Sequence, residues 1–362
     1  MNQAQFQSLL ERQIGKGYIK NIVARVQSGD SRIDLAGAAG VADAQGRVMM
    51  TPDTPYFTAS ISKMYTAAMI MSLYEQGSLD LDHTISSYLP AALVDGIHVY
   101  KGNDYSHRLK VYQLVGQTSG LPDYYEDRPK GGRSLYDDLK RGVPDRAYNI
   151  EEMIAIVRAI PPKFEPDARN GARSHYSDTN YHLLGAIIEA VTGKSYAENL
   201  RQMIGEPLGL LHTYAFDASQ PPRDTRPATL YFKDRALNLP LLFSSWSAEG
   251  GIVTTAAESL VFLRAFFDGR LFHKKHFERM THRWNGVFFP LQYGYGMMRF
   301  KMSRILSPFQ PAPELIGHSG STGSFAFYSP ERDLYFAGTV NQAAARSKPF
   351  RLMLQIANRL KS

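Results

Sequence analysis

Strand-like segments stand at both ends of this chain and helical ones fill the middle, so a single sheet has to be closed from the two termini around an inserted lobe. After a first amphipathic helix, "IKNIVARVQSG" and "RIDLAGAAGVAD" read as two strands joined by the turn Ser28-Gly29-Asp30. Near the other end, "LIGHSGSTGSFAFYSP" and "LYFAGTVNQ" read as two strands around the turn 329–333, and a last helix over about 347–361 closes the chain. From about Leu81 to Pro240 the texture changes. Segments such as "NIEEMIAIVRAI" and "NYHLLGAIIEAVTG" have helical periodicity. Long Pro/Gly/Asp-rich loops separate them, for example 119–134 and 161–175. Then "SAEGGIVTTAAESLVFLRAFFDGRLF" gives a Gly-rich turn and a helix capped around Thr254 or Thr255. The expectation is an α/β (α+β) fold in which helices flank the sheet. Residues 1–80 and 241–362 form its α/β domain and residues 81–240 an inserted, mainly helical lobe.

Composition narrows function by exclusion. Lysine plus arginine is 41 and aspartate plus glutamate 34, a mild excess of +7, and the basic residues are dispersed rather than striped among aromatics. Nucleic acid is therefore not an expected partner. The chain has no cysteine, which removes disulfides, thiol nucleophiles and Cys-ligated zinc together. Its ten histidines show no His-Glu-x-x-His or comparable spacing, so no metal and no organic cofactor is expected. No apolar run approaches the roughly 20 residues of a membrane span. The N-terminal segment "MNQAQFQSLLERQIGKGYIKNIVARV" lacks the pattern of a secretory leader. The expected compartment is the cytoplasm, with a periplasmic or secreted location following only if a leader has been removed. Composition does not speak to oligomeric state.

The chemistry starts at "YFTASISKMYTAAMIMSLYEQGSL", residues 56–79. Ile61, Met64, Ala68 and Met71 recur at helical spacing, Thr58, Ser60 or Ser62 can cap the start, and Gly77 supplies the stop. Ser60 and Lys63 are three apart and share a helix face. A serine hydroxyl becomes a useful nucleophile only when a base takes its proton. A lysine, with an ordinary pKa of about 10.4, can be that base only if burial and neighbouring charge lower its proton affinity. At a helix N-terminus the backbone N–H of Ser60 would also point outward, towards an oxyanion. The plainer reading is a capping serine and a lysine that snorkels to solvent. Ser62, adjacent to Lys63, points elsewhere on the helix.

Two further stretches carry reactive groups. In "SHYSDTNYHLLG", Tyr176-Ser177-Asp178 precedes a helix, where a tyrosine can relay protons if nearby cations lower its pKa; the alternative is a packing tyrosine beside a helix cap. Gly317-His318-Ser319-Gly320-Ser321 nearly spells the Gly-x-Ser-x-Gly nucleophile elbow of α/β-hydrolases. An elbow must pass from strand to helix, and this run continues into a hairpin, so Ser319 is not expected to be the nucleophile. Its small residues instead suit a strand edge that a substrate approaches closely.

Taken in order, Ser60-x-x-Lys63, Tyr176-Ser177-Asp178 and His318-Ser319-Gly320 resemble the three motifs of the penicillin-recognising serine hydrolases. The likeness is to the class C β-lactamase-like group, which also holds D-alanyl-D-alanine carboxypeptidases, D-aminopeptidases and small-ester esterases. "GQTSGLPDYY" (116–125), "EGGIVTTAAESLVFL" (249–263) and "YGYGM" (293–297) look similar as well, and the likeness runs over nearly the whole chain. The resemblance implies a β-lactamase/transpeptidase-like fold with the active site between sheet domain and helical lobe. It implies that Ser60 attacks a carbonyl and forms an acyl-enzyme, that Lys63 and Tyr176 share the proton work, and that the N–H groups of Ser60 and Ser321 form the oxyanion hole. His318, Gly320, Asp178 and Tyr124 would border the substrate.

Two departures from the family pattern bear on substrate. His318 stands where class C β-lactamases carry the lysine that anchors a substrate carboxylate, and a histidine near its reference pKa of about 6.5 is charged only part of the time. Asp178 stands where asparagine is usual. A carboxylate only accepts hydrogen bonds, and it can pair with Lys63 or His318, keeping the lysine protonated and favouring Tyr176 as base. The expected function is a serine hydrolase of small esters or D-amino-acid-type amides with weak or no β-lactamase activity. The alternatives are a carboxypeptidase or penicillin-binding protein, a true β-lactamase, and a catalytically silent ligand-binding sensor on the same fold.

Overall fold

A computed structural model describes residues 1–220, 226–301 and 312–360; the last residue of the expected closing helix lies outside these. Among the described residues the larger sheet has eight antiparallel strands. Their spatial order is 285–288, 291–293, 298–300, 315–319, 324–329, 334–339, 21–28, 34–40. The N-terminal hairpin therefore adds to the C-terminal strands, as expected. Leu334–Thr339 is buried along its whole length, and so reads as a continuous apolar run.

The register decides which side chains meet which helix. Phe327 pairs with Phe336 and packs against Phe350 of the closing helix Lys348–Arg359, so that face belongs to the C-terminus. Tyr328 pairs with Tyr335 on the opposite face, which meets Phe267 and Arg264 of the helix Ala256–Asp268. Ala326 lies two residues from Tyr328 and pairs with His318, so His318 projects on this second face.

Two expectations change. "LIGHSGSTGSFAFYSP" is not one strand: it breaks at Gly320–Gly323 into Leu315–Ser319 and Ser324–Ser329. Glycine is needed at 323, where φ is +84°. The helix Ser62–Glu75 has no single apolar stripe, since eleven of its fourteen residues are buried. Tyr65 stacks on Phe262 of one neighbouring helix, and Thr66 donates to the carbonyl of Ala248 at 2.6 Å. A helix buried on all sides takes Lys63 with it. No helix of the described residues is long and apolar enough to cross a membrane.

Candidate active site

Ser60 lies not in the helix but in a single 3-10 turn, Ala59–Ile61, that leads into it. None of Thr58, Ser60 and Ser62 caps the helix through its side chain. Thr58 is instead used sideways: its N–H and its hydroxyl both donate to the carbonyl of Ile252, each at 2.8 Å, and the hydroxyl meets Ser62 Oγ at 2.8 Å. The preceding strand Tyr56–Phe57 pairs with Ile252–Thr254. Ala59, buried, has φ +46°, a left-handed conformation that costs a non-glycine residue on the order of 1–3 kcal/mol. The strain persists because the turn is clamped from a second side. Ser324 Oγ donates to Thr58 O at 2.5 Å and Thr322 Oγ1 to Phe57 O at 3.3 Å. These bonds bring the Gly320–Gly323 turn, and the backbone of Ser321 with it, against the turn that carries Ser60. Gly320 is required there by close approach, since a Cβ would stand 2.5 Å from Thr58 O and nearer still to Ser324 Oγ.

Lys63 has no exposed surface. Its Nζ donates to Ser60 Oγ at 3.3 Å and to the backbone carbonyl of Glu249 at 2.8 Å, and lies 2.6 Å from Asp178 Oδ1. Of the two partners the sequence left open to Asp178, the structure selects Lys63. Burial works against the ammonium charge, but Asp178, then Tyr176 and Glu249, outweigh it and hold Lys63 protonated above the usual lysine range. The lysine is thus not a free base in the resting site. Burial pushes the Asp178 carboxyl up, and Lys63 pulls it back down.

Tyr176 is aimed by its neighbours in sequence. Gln117 binds both backbone groups of Ser177, its Oε1 accepting the N–H at 2.9 Å and its Nε2 donating to the carbonyl at 3.2 Å. Asn180 Nδ2 donates to the same Oε1 at 2.5 Å. The ring of Tyr176 stands over Lys63, with Nζ 5.2 Å from its centre. Tyr176 was expected to relay protons through a lowered pKa. The reverse holds: burial lifts the hydroxyl well above the tyrosine range, Lys63 lowers it less, and Asp178 adds to the rise. In the resting state Tyr176 keeps its proton, and no hydrogen-bond partner among the described residues occupies its hydroxyl.

His318 also departs from expectation. It is fully buried, 5.7 Å from the ring of Tyr293 and 6.2 Å from that of Tyr176, between centroids. Burial first, and the Lys63 charge second, push the imidazole down to about 3. It is therefore neutral at physiological pH rather than partly charged. Nδ1 lies 2.9 Å from the carbonyl of Ser319, which assigns the proton to Nδ1 and leaves Nε2 as a buried acceptor without a partner among the described residues. Substrate affinity should accordingly show no inflection between pH 5 and 8 that disappears in His318→Gln. Such an inflection in KM, near the ordinary histidine value, would contradict this assignment.

Tyr124, expected at the pocket border, is buried at 1% exposure and donates its hydroxyl to Glu249 Oε1. His182 Nδ1 lies 3.1 Å from the same carboxylate. Burial raises Glu249, but His182 and then Tyr124 hold it below the carboxylate range, while Glu249 overcomes burial to raise His182. This pair beneath Lys63 has no local signal in the sequence; a glutamate beside Gly250-Gly251 looks like a solvated turn. Ser319, the elbow alternative, ends a strand that continues into a strand, and its hydroxyl meets Met298 Sδ at 3.6 Å. No group of three or more His, Asp or Glu among the described residues is placed to hold a metal.

The sheet, the buried helix and the three converging motifs define a β-lactamase/transpeptidase-like hydrolase fold. The sequence profile of the Beta-lactamase family matches residues 9–357, and the chain belongs to that family. A D-stereospecific amidohydrolase from Streptomyces sp. superposes with a TM-score of 0.74 at 26% identity, covering 97% of this chain and 98% of that one. The teichoic acid D-alanine hydrolase of Staphylococcus aureus is 24% identical over 271 residues, 74% of this chain. "Protein flp" of the same species is 27% identical over 216 residues, 59% of this chain. The matches cover only 59% of the hydrolase and 38% of flp, so the curated relatives are considerably longer than what they share with this chain.

Proposed function

We propose that the protein is a serine hydrolase that forms an acyl-enzyme through Ser60 on small esters or D-amino-acid-type amides and handles β-lactams poorly. The observation that carries this reading is the state of the two groups a substrate carboxylate would seek: Lys63 is committed to Asp178 at 2.6 Å, and His318 presents a neutral acceptor. Penicillins and D-alanyl-D-alanine peptides both bring a carboxylate to this place. An ester, or an amide with a free amine that can donate to His318 Nε2, does not need a cation there. The amidohydrolase and D-alanine hydrolase among the similar proteins point the same way. The reactive groups kept in all three motifs favour an enzyme over a silent sensor.

In the proton steps, Lys63 passes one proton to Asp178, and the neutral amine then takes the Ser60 proton as Oγ attacks the acyl carbon. The N–H groups of Ser60 and Ser321 receive the oxyanion. Tyr176 gives its proton to the leaving atom as that bond breaks, and recovers one from Asp178 through Lys63, so the net transfer is from Ser60 to the leaving group. Deacylation repeats the sequence with water in place of Ser60.

Because the proton moves inside the pair, acylation by the native enzyme should be flat with pH from 6 to 9. Asp178→Asn removes the internal acceptor, so the Lys63 proton must leave to solvent. The variant should be roughly 100-fold or more slower at pH 7 and recover as pH rises, within the range of a lost general-base contribution. Full activity at pH 7 with no such limb would count against Asp178 as acceptor. Substrate class is tested by kcat/KM for D-alanine amide, D-phenylalanine amide and a phenyl ester beside benzylpenicillin. At least a hundredfold preference for the first three is expected, and comparable turnover of benzylpenicillin would overturn the reading.

A further inference from the structure

The edge hairpin formed by Asn285–Phe288 and Leu291–Tyr293 does something its place in the sheet does not require. One of its faces carries Leu291 and Tyr293, with Phe288 opposite Leu291 and Asn285 opposite Tyr293. Both aromatic residues of this face meet Tyr176, Phe288 at 5.4 Å and Tyr293 at 5.6 Å between ring centroids. Tyr293 is buried, but Phe288 is 46% exposed and Phe289 at the tip 87%. Phe288 thus sets an apolar ring, half open to solvent, directly against the ring of Tyr176.

The hairpin is also fixed to the helical side of the site by side-chain bonds. Ser174 Oγ donates to Gly286 O at 2.7 Å, Asn285 Nδ2 to Gly171 O at 2.8 Å and Arg283 Nη1 to Asn170 O at 2.7 Å. Gly171 and Ser174 lie just ahead of Tyr176, so hairpin and tyrosine are held as one unit.

We propose that Phe288 is the apolar wall of the leaving-group subsite and selects substrates whose leaving group is an aryl or branched alkyl alcohol or amine. The inference rests on the acyl-enzyme reading above. In acylation, Ser60 Oγ bonds to the acyl carbon, the bond from that carbon to the leaving oxygen or nitrogen breaks, and the Tyr176 proton goes to that atom. Whatever hangs from the leaving atom must therefore pass beside Tyr176, and the half-open ring next to Tyr176 is Phe288. The acyl group stays on Ser60 and does not need that surface.

The test separates the two halves of the reaction, because deacylation no longer contains the leaving group. Two esters of one acyl group, phenyl and methyl, are compared for the native protein, Phe288→Ala and Phe288→Leu. Phe288→Ala should lower kcat/KM for the phenyl ester about 10- to 50-fold, in the range of a lost apolar contact, and leave the methyl ester within about 2-fold. The deacylation rate of the shared acyl-enzyme, followed by single turnover, should not change, and Phe288→Leu should restore most of the loss. An unchanged phenyl-to-methyl ratio overturns the proposal, as does an effect that follows the acyl group or the deacylation rate. If a second copy of the chain covers the tip instead, sedimentation will show a concentration-dependent dimer lost in Phe288→Ala while the ester ratio stays put. Failure of the underlying serine-hydrolase reading looks different: hydrolysis would survive Ser60→Ala, and no acyl-enzyme would form in the single-turnover experiment.

Discussion

Lys63→Ala is expected to lower kcat/KM by at least about a thousandfold, because it removes the group proposed to take the Ser60 proton. The same substitution should also destabilise the fold. Lys63 is fully buried, with three polar partners, Ser60 Oγ, Glu249 O and Asp178 Oδ1. Removing one partner of a buried ion pair costs about 3–5 kcal/mol, since the other charge is left uncompensated. That loss has a pH signature. A lone buried Asp178 binds its proton more tightly in the folded than in the unfolded chain, so its folded pKa lies above the unfolded value of about 3.9. The unfolded state then binds fewer protons between the two values, and stability falls as pH rises through that window. Chemical denaturation should find Lys63→Ala closer to the native protein at pH 4 than at pH 7. A deficit independent of pH would mean that Asp178 does not remain buried.

The second large effect is expected at Gly320→Ala, a change of one methyl group. The added Cβ would meet Thr58 O at 2.5 Å and Ala59 Cβ at 2.9 Å, with Ser324 Oγ also in the way. Thr58 O is backbone and cannot swing aside, so the Gly320–Gly323 turn has to move away from Ala59. In the proposed mechanism, displacing the Ser321 N–H from Ser60 removes one oxyanion donor, worth about 10²–10³ in kcat. Overpacking of this kind costs roughly 1–3 kcal/mol of stability. Gly286→Ala is the control, since its Cβ would meet nothing within 4 Å. Equal activity of the two variants, measured on one activated ester, would show that the turn does not position an oxyanion donor.

The difference between what could and could not be read from sequence is one of range. Ser60 and Lys63 were legible because three residues of local chain bring them together, and the hairpin 21–40 because its turn and strands are contiguous. Asp178 was legible as a charged residue near the site, but not its choice of Lys63 over His318. That choice depends on how the helix Asp178–Thr192 docks on the helix Ser62–Glu75. The neutrality of His318 follows from complete burial under Tyr293 and Tyr176, which no local pattern announces. Glu249 and His182 acquire meaning only from each other. The edge strands between 285 and 300 were missed because each is three or four residues long, and the first is interrupted by a register shift. With them went the contact between Phe288 and Tyr176.

The central claim is that Ser60 carries the acyl group. It is tested most directly by mixing the protein and Ser60→Ala with the p-nitrophenyl ester of D-alanine, quenching in acid over seconds to minutes, and measuring intact mass. One added D-alanyl group is expected on the native protein, mapped to the peptide that contains Ser60, and no adduct on Ser60→Ala. An adduct that persists in Ser60→Ala, or that maps to Ser319, would contradict it.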